Sequence, residues 1–358
     1  MTTTLQRPPS ERPDFATELQ DSRLPLWLPR AILVGAALVG LALAFLTPLN
    51  IPQAVIIAWL LTWTLPIASR IVEGSRKATD RIVTLLVSSA FGLALLPLGS
   101  ILWLVVSKGG PQLSSDFFTY SMRNVVGEGG GIYHALVGTL LITAAATIIS
   151  VPIGLFAAIY LVEYGAGNRL SRWITFLVDV MTGIPSIVAG LFAYALFVIF
   201  FGEGVRLGIG GSIALSVLMV PIVVRACEEM LKLVPNELRE AAFALGVPKW
   251  RTVVKIVLPT AISGIVTGVT LSIARVIGET APLLIIAGLT DSVNFNLFSE
   301  RMTTLPVFAY NAVKFPGVPP QASIDRGWGA ALVLLMIVML LNLIARFVSY
   351  YFSPKGER

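Results

Sequence analysis

The chain has 358 residues, of which 56% are hydrophobic and 13% charged, with a formal charge of +6. Soluble domains carry about 25% charged residues, so the composition excludes an ordinary water-soluble fold and points to an all-α, polytopic transmembrane bundle in a lipid bilayer. The basic balance is no nucleic-acid footprint, since no basic stretch is interleaved with aromatics, and one cysteine, Cys227, leaves no intrachain disulfide and no thiolate metal cluster.

Met1 to Leu28 is polar, proline-containing and mixed in charge, so residues 1–30 are expected to form a cytoplasmic tail without a cleavable signal. A bilayer-crossing helix needs about 20 apolar residues. Eight runs approach that length: Ala31 to Thr47, Ile51 to Ile67, Ile82 to Val106, Ala135 to Leu161, Trp173 to Phe201, Ile209 to Val224, Ala261 to Ala287 and Trp328 to Phe347. The second is bracketed by Pro52 and Pro66 and the sixth is interrupted by Pro221, so either is open to reading as a hairpin that enters and leaves on one face. Gly127 and Gly129 to Gly131 fall in a connection without a preceding strand and are read as a flexible link, not a phosphate cradle. His134, the only histidine, sits near a span boundary and is assigned a structural role.

Of the 26 Lys and Arg residues, nineteen fall on one side of this eight-span arrangement, six on the other, and Arg275 lies within a span. The rule that basic loops stay inside then places both termini in the cytoplasm. The nineteen include Arg225, Lys232, Arg239, Lys249, Arg251 and Lys255, which puts residues 228–259 in the cytoplasm too. There Pro235 and Glu237 suit a first helical turn, Leu238, Ala241, Ala242 and Leu245 share a face, and Gly246 suits a left-handed stop. Pro248 then opens a second short helix through Trp250. Glu240 offers a charge to a partner, the paired alanines allow close approach, and Trp250 is a rigid anchor, while a solvated amphipathic loop that packs only on its own chain is the alternative of equal weight.

Glu240-Ala241-Ala242, Gly246 four positions later, and Ile256-Val257-Leu258-Pro259 beyond it resemble the cytoplasmic loop signature of ABC importer permeases. The resemblance implies a coupling helix seated on a cytoplasmic ABC ATPase dimer, with Glu240, Ala241, Ala242 and Gly246 transmitting nucleotide-driven motion. No Gly-x-x-x-x-Gly-Lys-Ser/Thr run is present, so the chain is read as a transport subunit that needs no cofactor or metal of its own and draws ATP hydrolysis from another polypeptide.

Arg275 lies about 21 Å along a helix begun at Ala261, a depth at which a charge is expensive and usually faces a water-filled path. Glu279 follows at i+4, on the same face if the helix is unbroken, while Gly278 and Pro282 favour a kink beside the pair. A guanidinium fork suits a tetrahedral oxyanion. A self-neutralising pair that locks packing is the rival reading. Asp179, followed by Thr182-Gly183-Ile184-Pro185-Ser186, marks a second polar break and is read as structural or functional with equal weight. Asp179, Thr182 and Ser186 join Arg275 and Glu279 as the expected substrate pathway.

Gly183-Ile184-Pro185-Ser186-Ile187-Val188-Ala189-Gly190-Leu191 and Gly278-Glu279-Thr280-Ala281-Pro282-Leu283-Leu284 resemble phosphate transport permeases of the PstA type. The resemblance implies a six-helix permease core, assigned to residues 82–350, with an additional transmembrane hairpin at 31–81 and a cytoplasmic tail at 351–358. It also implies phosphate as substrate, a role for Arg275 and Glu279 in its translocation, a sister permease subunit, an extracytoplasmic phosphate-binding protein and a bacterial inner-membrane location. Permeases for phosphonate, sulfate or molybdate share the same hairpin, and a non-transport membrane scaffold is the remaining alternative.

Overall fold

The computed structural model describes residues 24–25, 27–46, 51–165 and 167–352. Residues 1–23 and 353–358 of the expected tails, with Arg7, Arg12, Arg23, Lys355 and Arg358 of the basic residues counted above, lie outside the described residues, whereas residues 27–30 and 351–352 are helical. Helices α1 (Trp27–Leu46), α2 (Ile51–Thr62), α3 (Thr64–Val72), α4 (Ser75–Gly109), α5 (Ser115–Thr119), α6 (Tyr133–Ile159), α7 (Arg169–Thr182) and α8 (Ser186–Phe201) are followed by α9 (Gly208–Lys232), α10 (Asn236–Ala244), α11 (Lys249–Thr252), α12 (Leu258–Val276), α13 (Ala281–Ile286), α14 (Leu305–Lys314) and α15 (Pro320–Phe352). Among the described residues there is no β-strand. Seven helical stretches are long and apolar enough to cross a membrane, and α7 with α8 makes an eighth bent by 108°.

The chain divides into two compact units, 1–101 and 102–358. In the first, α1 packs on α2 so closely that a Cβ at Gly40 would lie 2.7 Å from Ala58 Cβ. Pro66 falls in the first turn of α3, where a missing N–H costs nothing, so the second expected span is a helical stretch, Gln53–Val72, interrupted only by a turn at Trp63. At its end Glu73 accepts hydrogen bonds from Ser69 Oγ at 2.7 Å and Leu24 N at 3.0 Å, and pairs with Arg81 at 2.7 Å. Burial pushes its carboxyl up, but these donors outweigh burial and hold it below the usual carboxylate range.

The second unit is organised about α9, which packs against α6, α7, α8, α12 and α13. Leu215, Met219, Val223, Cys227 and Leu231 of α9 are fully buried and form the main core with Ile142 and Ala146 of α6 and Ala261, Ile265 and Val276 of α12. Over half of the apolar stretch of α9 is buried, 56% against 0% for α4, whose apolar side chains are left for lipid or other chains. Small residues permit this packing. A Cβ at Gly154 of α6 would lie 2.6 Å from Val223 Cγ1.

Three spans take a more definite form than the sequence alone gives. The sixth span is no hairpin: α9 runs unbroken through the buried Pro221 as far as Lys232, because α6 clasps that stretch and the following charged turns are helical too. The fifth span is not one helix, since Gly183 and Pro185 end α7 and restart the chain as α8. The seventh stops at Val276, and after Ile277 to Thr280 only the short α13 follows.

The helices that follow the two interruptions meet. Gly190 of α8 lies against α13, where a Cβ would come 2.5 Å from Pro282 Cα. Each break closes its own backbone bonds, Gly183 N to Val180 O at 3.1 Å and Ile184 N to Met181 O at 3.2 Å in one, Glu279 N to Val276 O at 3.1 Å in the other. Broken backbone at membrane depth is tolerated where it is covered by protein or lines a cavity. Replacing Gly190 by Val should therefore destabilise the detergent-purified protein by about 1–3 kcal/mol, read as a lower thermal midpoint. An unchanged midpoint would show that α8 and α13 are not in contact.

Candidate functional site

A cavity of about 500 Å³ lies beside the two breaks. Thr182 and Ser186 reach it from either side of the α7–α8 bend, Arg225 and Glu229 from the last third of α9, Arg275 from the end of α12, and Glu279 from the break before α13. Met181, Ile184, Leu218, Pro221, Ile222 and Val276 supply its apolar wall. Four of the five expected pathway residues, Thr182, Ser186, Arg275 and Glu279, thus line one space although up to 97 positions separate them in sequence.

The fifth, Asp179, is not among the lining residues. It pairs with Arg225 Nη2, and Arg225 Nη1 also donates to Glu228 Oε2 at 2.8 Å. Glu228 in turn accepts from Lys232 Nζ at 2.7 Å. This chain of alternating charge ties α7 to α9 and holds the Arg225 guanidinium at the cavity wall. Asp179 therefore bonds the neighbouring helix α9.

Arg275 differs. Among the described residues it forms no ion pair, and the expected i,i+4 pairing with Glu279 fails because α12 ends at Val276 and Glu279 lies past the helical register. Both still line the cavity, without a salt bridge between them. Sequence reading missed Arg225 and Glu229 as lining residues. It ended the sixth span at Val224 and assigned Arg225 to a loop, although Arg225, Glu228 and Lys232 carry i,i+3 and i,i+4 helical spacing.

A larger recess, about 800 Å³, is formed by residues 112–130 and the start of α15. It is lined by Asp116, Glu128 and Asp325, while the buried Arg326 donates to the carbonyls of Gly127 at 2.7 Å and Gly129 at 2.8 Å. Three carboxylates against a guanidinium already engaged suit an anion poorly. The smaller cavity is the better candidate on charge.

The Glu240 segment has the expected left-handed stop: Gly246 has φ +75°, with Val247 N bonded to Ala242 O at 3.1 Å and Gly246 N to Phe243 O at 2.9 Å, a Schellman closure of α10. Ala242 is buried. Glu240, Ala241, Gly246 and Trp250 are exposed, as are Leu238, Phe243 and Leu245, so the apolar side chains of α10 are not all spent on the chain's own interior. The expected second short helix is corrected: Lys249–Val276 is one helical stretch, α11 leading through a π turn at Val253–Val257 into α12. Pro259 cannot donate to Lys255 O, and the π turn accommodates that missing bond.

Interrupted helices around a charged cavity, with an exposed helical elbow between two spans, define a membrane transport permease. The family model described as binding-protein-dependent transport system inner membrane component matches residues 150–358. A chain of the bacterial alginate ABC transporter crystallised with its alginate pentasaccharide-bound periplasmic protein has a TM-score of 0.54 at 12% identity, covering 78% of this chain and 97% of that one. That likeness shows the fold alone. The phosphate transport system permease protein PstA 1 of Mycobacterium tuberculosis is 45% identical over 288 residues, covering 80% of this chain and 93% of the relative. The PstA protein of Pasteurella multocida is 39% identical over 284 residues, covering 79% and 97%. The chain belongs to the PstA family of phosphate transport system permeases.

Water access to the cavity is testable with thiols. Ser186→Cys should react with a charged, membrane-impermeant maleimide in detergent, whereas the fully buried Cys227 should stay unmodified until unfolding. A mass shift at Cys227 alone would mean that the cavity is closed.

Proposed function

We propose that this chain is a permease subunit that imports inorganic phosphate across the bacterial inner membrane by alternating access. The observation that carries the reading is the pairing of two cavity-facing guanidiniums with 45% identity to a phosphate transport permease over most of both chains. A sister permease subunit supplies the other wall of the pathway, an extracytoplasmic phosphate-binding protein delivers the anion, and a cytoplasmic ABC ATPase dimer drives the cycle. Both termini are cytoplasmic in this reading. Residues 31–81 form an added hairpin outside the permease core of 82–350, whose coupling hairpin spans 228–259.

Arg275 takes the anion because its fork matches two oxygens at once and no carboxylate claims it beforehand. Arg225, held by Asp179 and Glu228, contributes positive potential from a fixed position. Thr182 and Ser186 offer hydroxyls, although Thr182 Oγ1 already donates to Val178 O at 2.8 Å and so presents only lone pairs. Glu229 and Glu279 keep the cavity from becoming a trap. Glu240, Ala241, Ala242, Gly246 and Trp250 form the ATPase contact, with Ala242 at its root and the others on the accessible side.

Uptake of labelled phosphate by the reconstituted complex tests the pathway. Arg275→Ala should lower uptake at least about tenfold, the scale of one lost charge-assisted hydrogen bond, and Arg275→Lys should restore only part of it. Full uptake in Arg275→Ala would remove Arg275 from the pathway. Glu240→Lys should leave the subunit in the membrane and abolish transport-linked ATP hydrolysis. Intact assembly together with intact linked hydrolysis in that variant would rule out Glu240 as a coupling residue.

A further inference from the structure

Arg239 precedes the exposed Glu240 by one residue in α10, yet its side chain turns inward. Nε and Nη2 donate to Glu163 Oε1 at 3.0 and 2.8 Å, Nη2 also reaches Leu231 O at 3.0 Å, and Nη1 donates to Val234 O at 2.6 Å and Asn236 Oδ1 at 3.3 Å. A guanidinium has five N–H groups, and each has an acceptor here. Glu163 lies in the π turn Tyr160–Tyr164 that ends α6, and its side chain is only 4% exposed. Leu231, in the last turn of α9, and Val234, just beyond it, supply the two carbonyls, and the Leu231 carbonyl also accepts from Val234 N at 3.4 Å. One side chain thus joins three elements: the elbow, the end of α6 and the end of α9.

We propose that Arg239 is a positioning residue that makes α10 move as one body with the ends of α6 and α9. The inference rests on the reading of α10 as the ATPase contact. Without the guanidinium, α10 would keep its two short connections, residues 233–235 and 245–248, and the packing of Ala242 and its neighbours on α11 and the π turn Val253–Val257, but would lose its side-chain tie to the ends of α6 and α9. With it, displacement enters α9, the helix that also carries Arg225 and Glu229 into the cavity. The geometry demands Arg specifically. A lysine keeps the charge but has one ammonium in place of the planar fork, and cannot serve Glu163 and both carbonyls together. Removing either partner strands the other in a desolvated site.

The test uses the complete complex in proteoliposomes, with Arg239→Lys and Glu163→Gln as the variants and labelled inorganic phosphate as the probe. Three quantities are read: ATPase subunit copurifying with the permease, ATP hydrolysed, and phosphate carried per ATP. The proposal expects the ATPase to remain bound while phosphate carried per ATP falls about tenfold, within the range of coupling between distant sites. An unchanged ratio in Arg239→Lys overturns it, as does loss of the ATPase from that variant, which would make Arg239 an assembly residue. Should Arg239→Lys fail to fold, Glu163→Gln decides by the same two criteria. If the unmodified complex carries another oxyanion and not phosphate, the substrate reading falls alone and the ratio is measured with that oxyanion.

Discussion

Hydrocarbon cannot satisfy an open backbone, and that constraint governs the permease core. Two of its spans are interrupted, at Gly183 to Pro185 and at Ile277 to Thr280, both interruptions line one cavity, and the helices that follow them pack together through the close approach of Gly190 to Pro282. Everything polar at depth follows from this arrangement. Thr182 ends α7, Ser186 opens α8 and Glu279 lies in the second break, and α9 supplies Arg225 and Glu229 to the same cavity.

Charge is divided between holding and receiving. Asp179, Arg225, Glu228 and Lys232 are mutually satisfied and fix α7 to α9. Arg275 has no such anchor among the described residues, and the same division recurs at the elbow, where Arg239 is fully engaged inward while Glu240 beside it is exposed. Of these pairs Arg239–Glu163 is the buried one, and such a pair adds little net stability relative to apolar packing, yet is costly to break. It suits a joint that must transmit displacement without changing partners.

Much of this was legible in the sequence. The eight apolar runs follow from composition and length, the elbow from Pro235, Gly246 and Pro248, and the two interruptions from glycine and proline at 183, 185, 278 and 282. The errors share a cause: a local signal was read without its packing. Pro221 suggests a hairpin until α6 is seen to clasp α9 around it. Arg275 and Glu279 have helical spacing, but Gly278 lies between them and the helix ends first. The α11 segment looks like a separate short helix because Pro259 follows it, whereas a π turn carries the chain through. The 108° bend and the inward aim of Arg225 and Arg239 depend on contacts from distant segments, up to 76 positions away for Glu163, and no local pattern encodes them.

The central claim is that the anion passes between the two helix breaks and is received there by Arg275. A structure of the assembled transporter arrested with its substrate tests this most directly. The account predicts tetrahedral density within hydrogen-bond reach of the Arg275 guanidinium, beside Ser186 and the α9 surface at Arg225. Substrate density elsewhere, with Arg275 pointing into lipid or bound to a carboxylate, would contradict it.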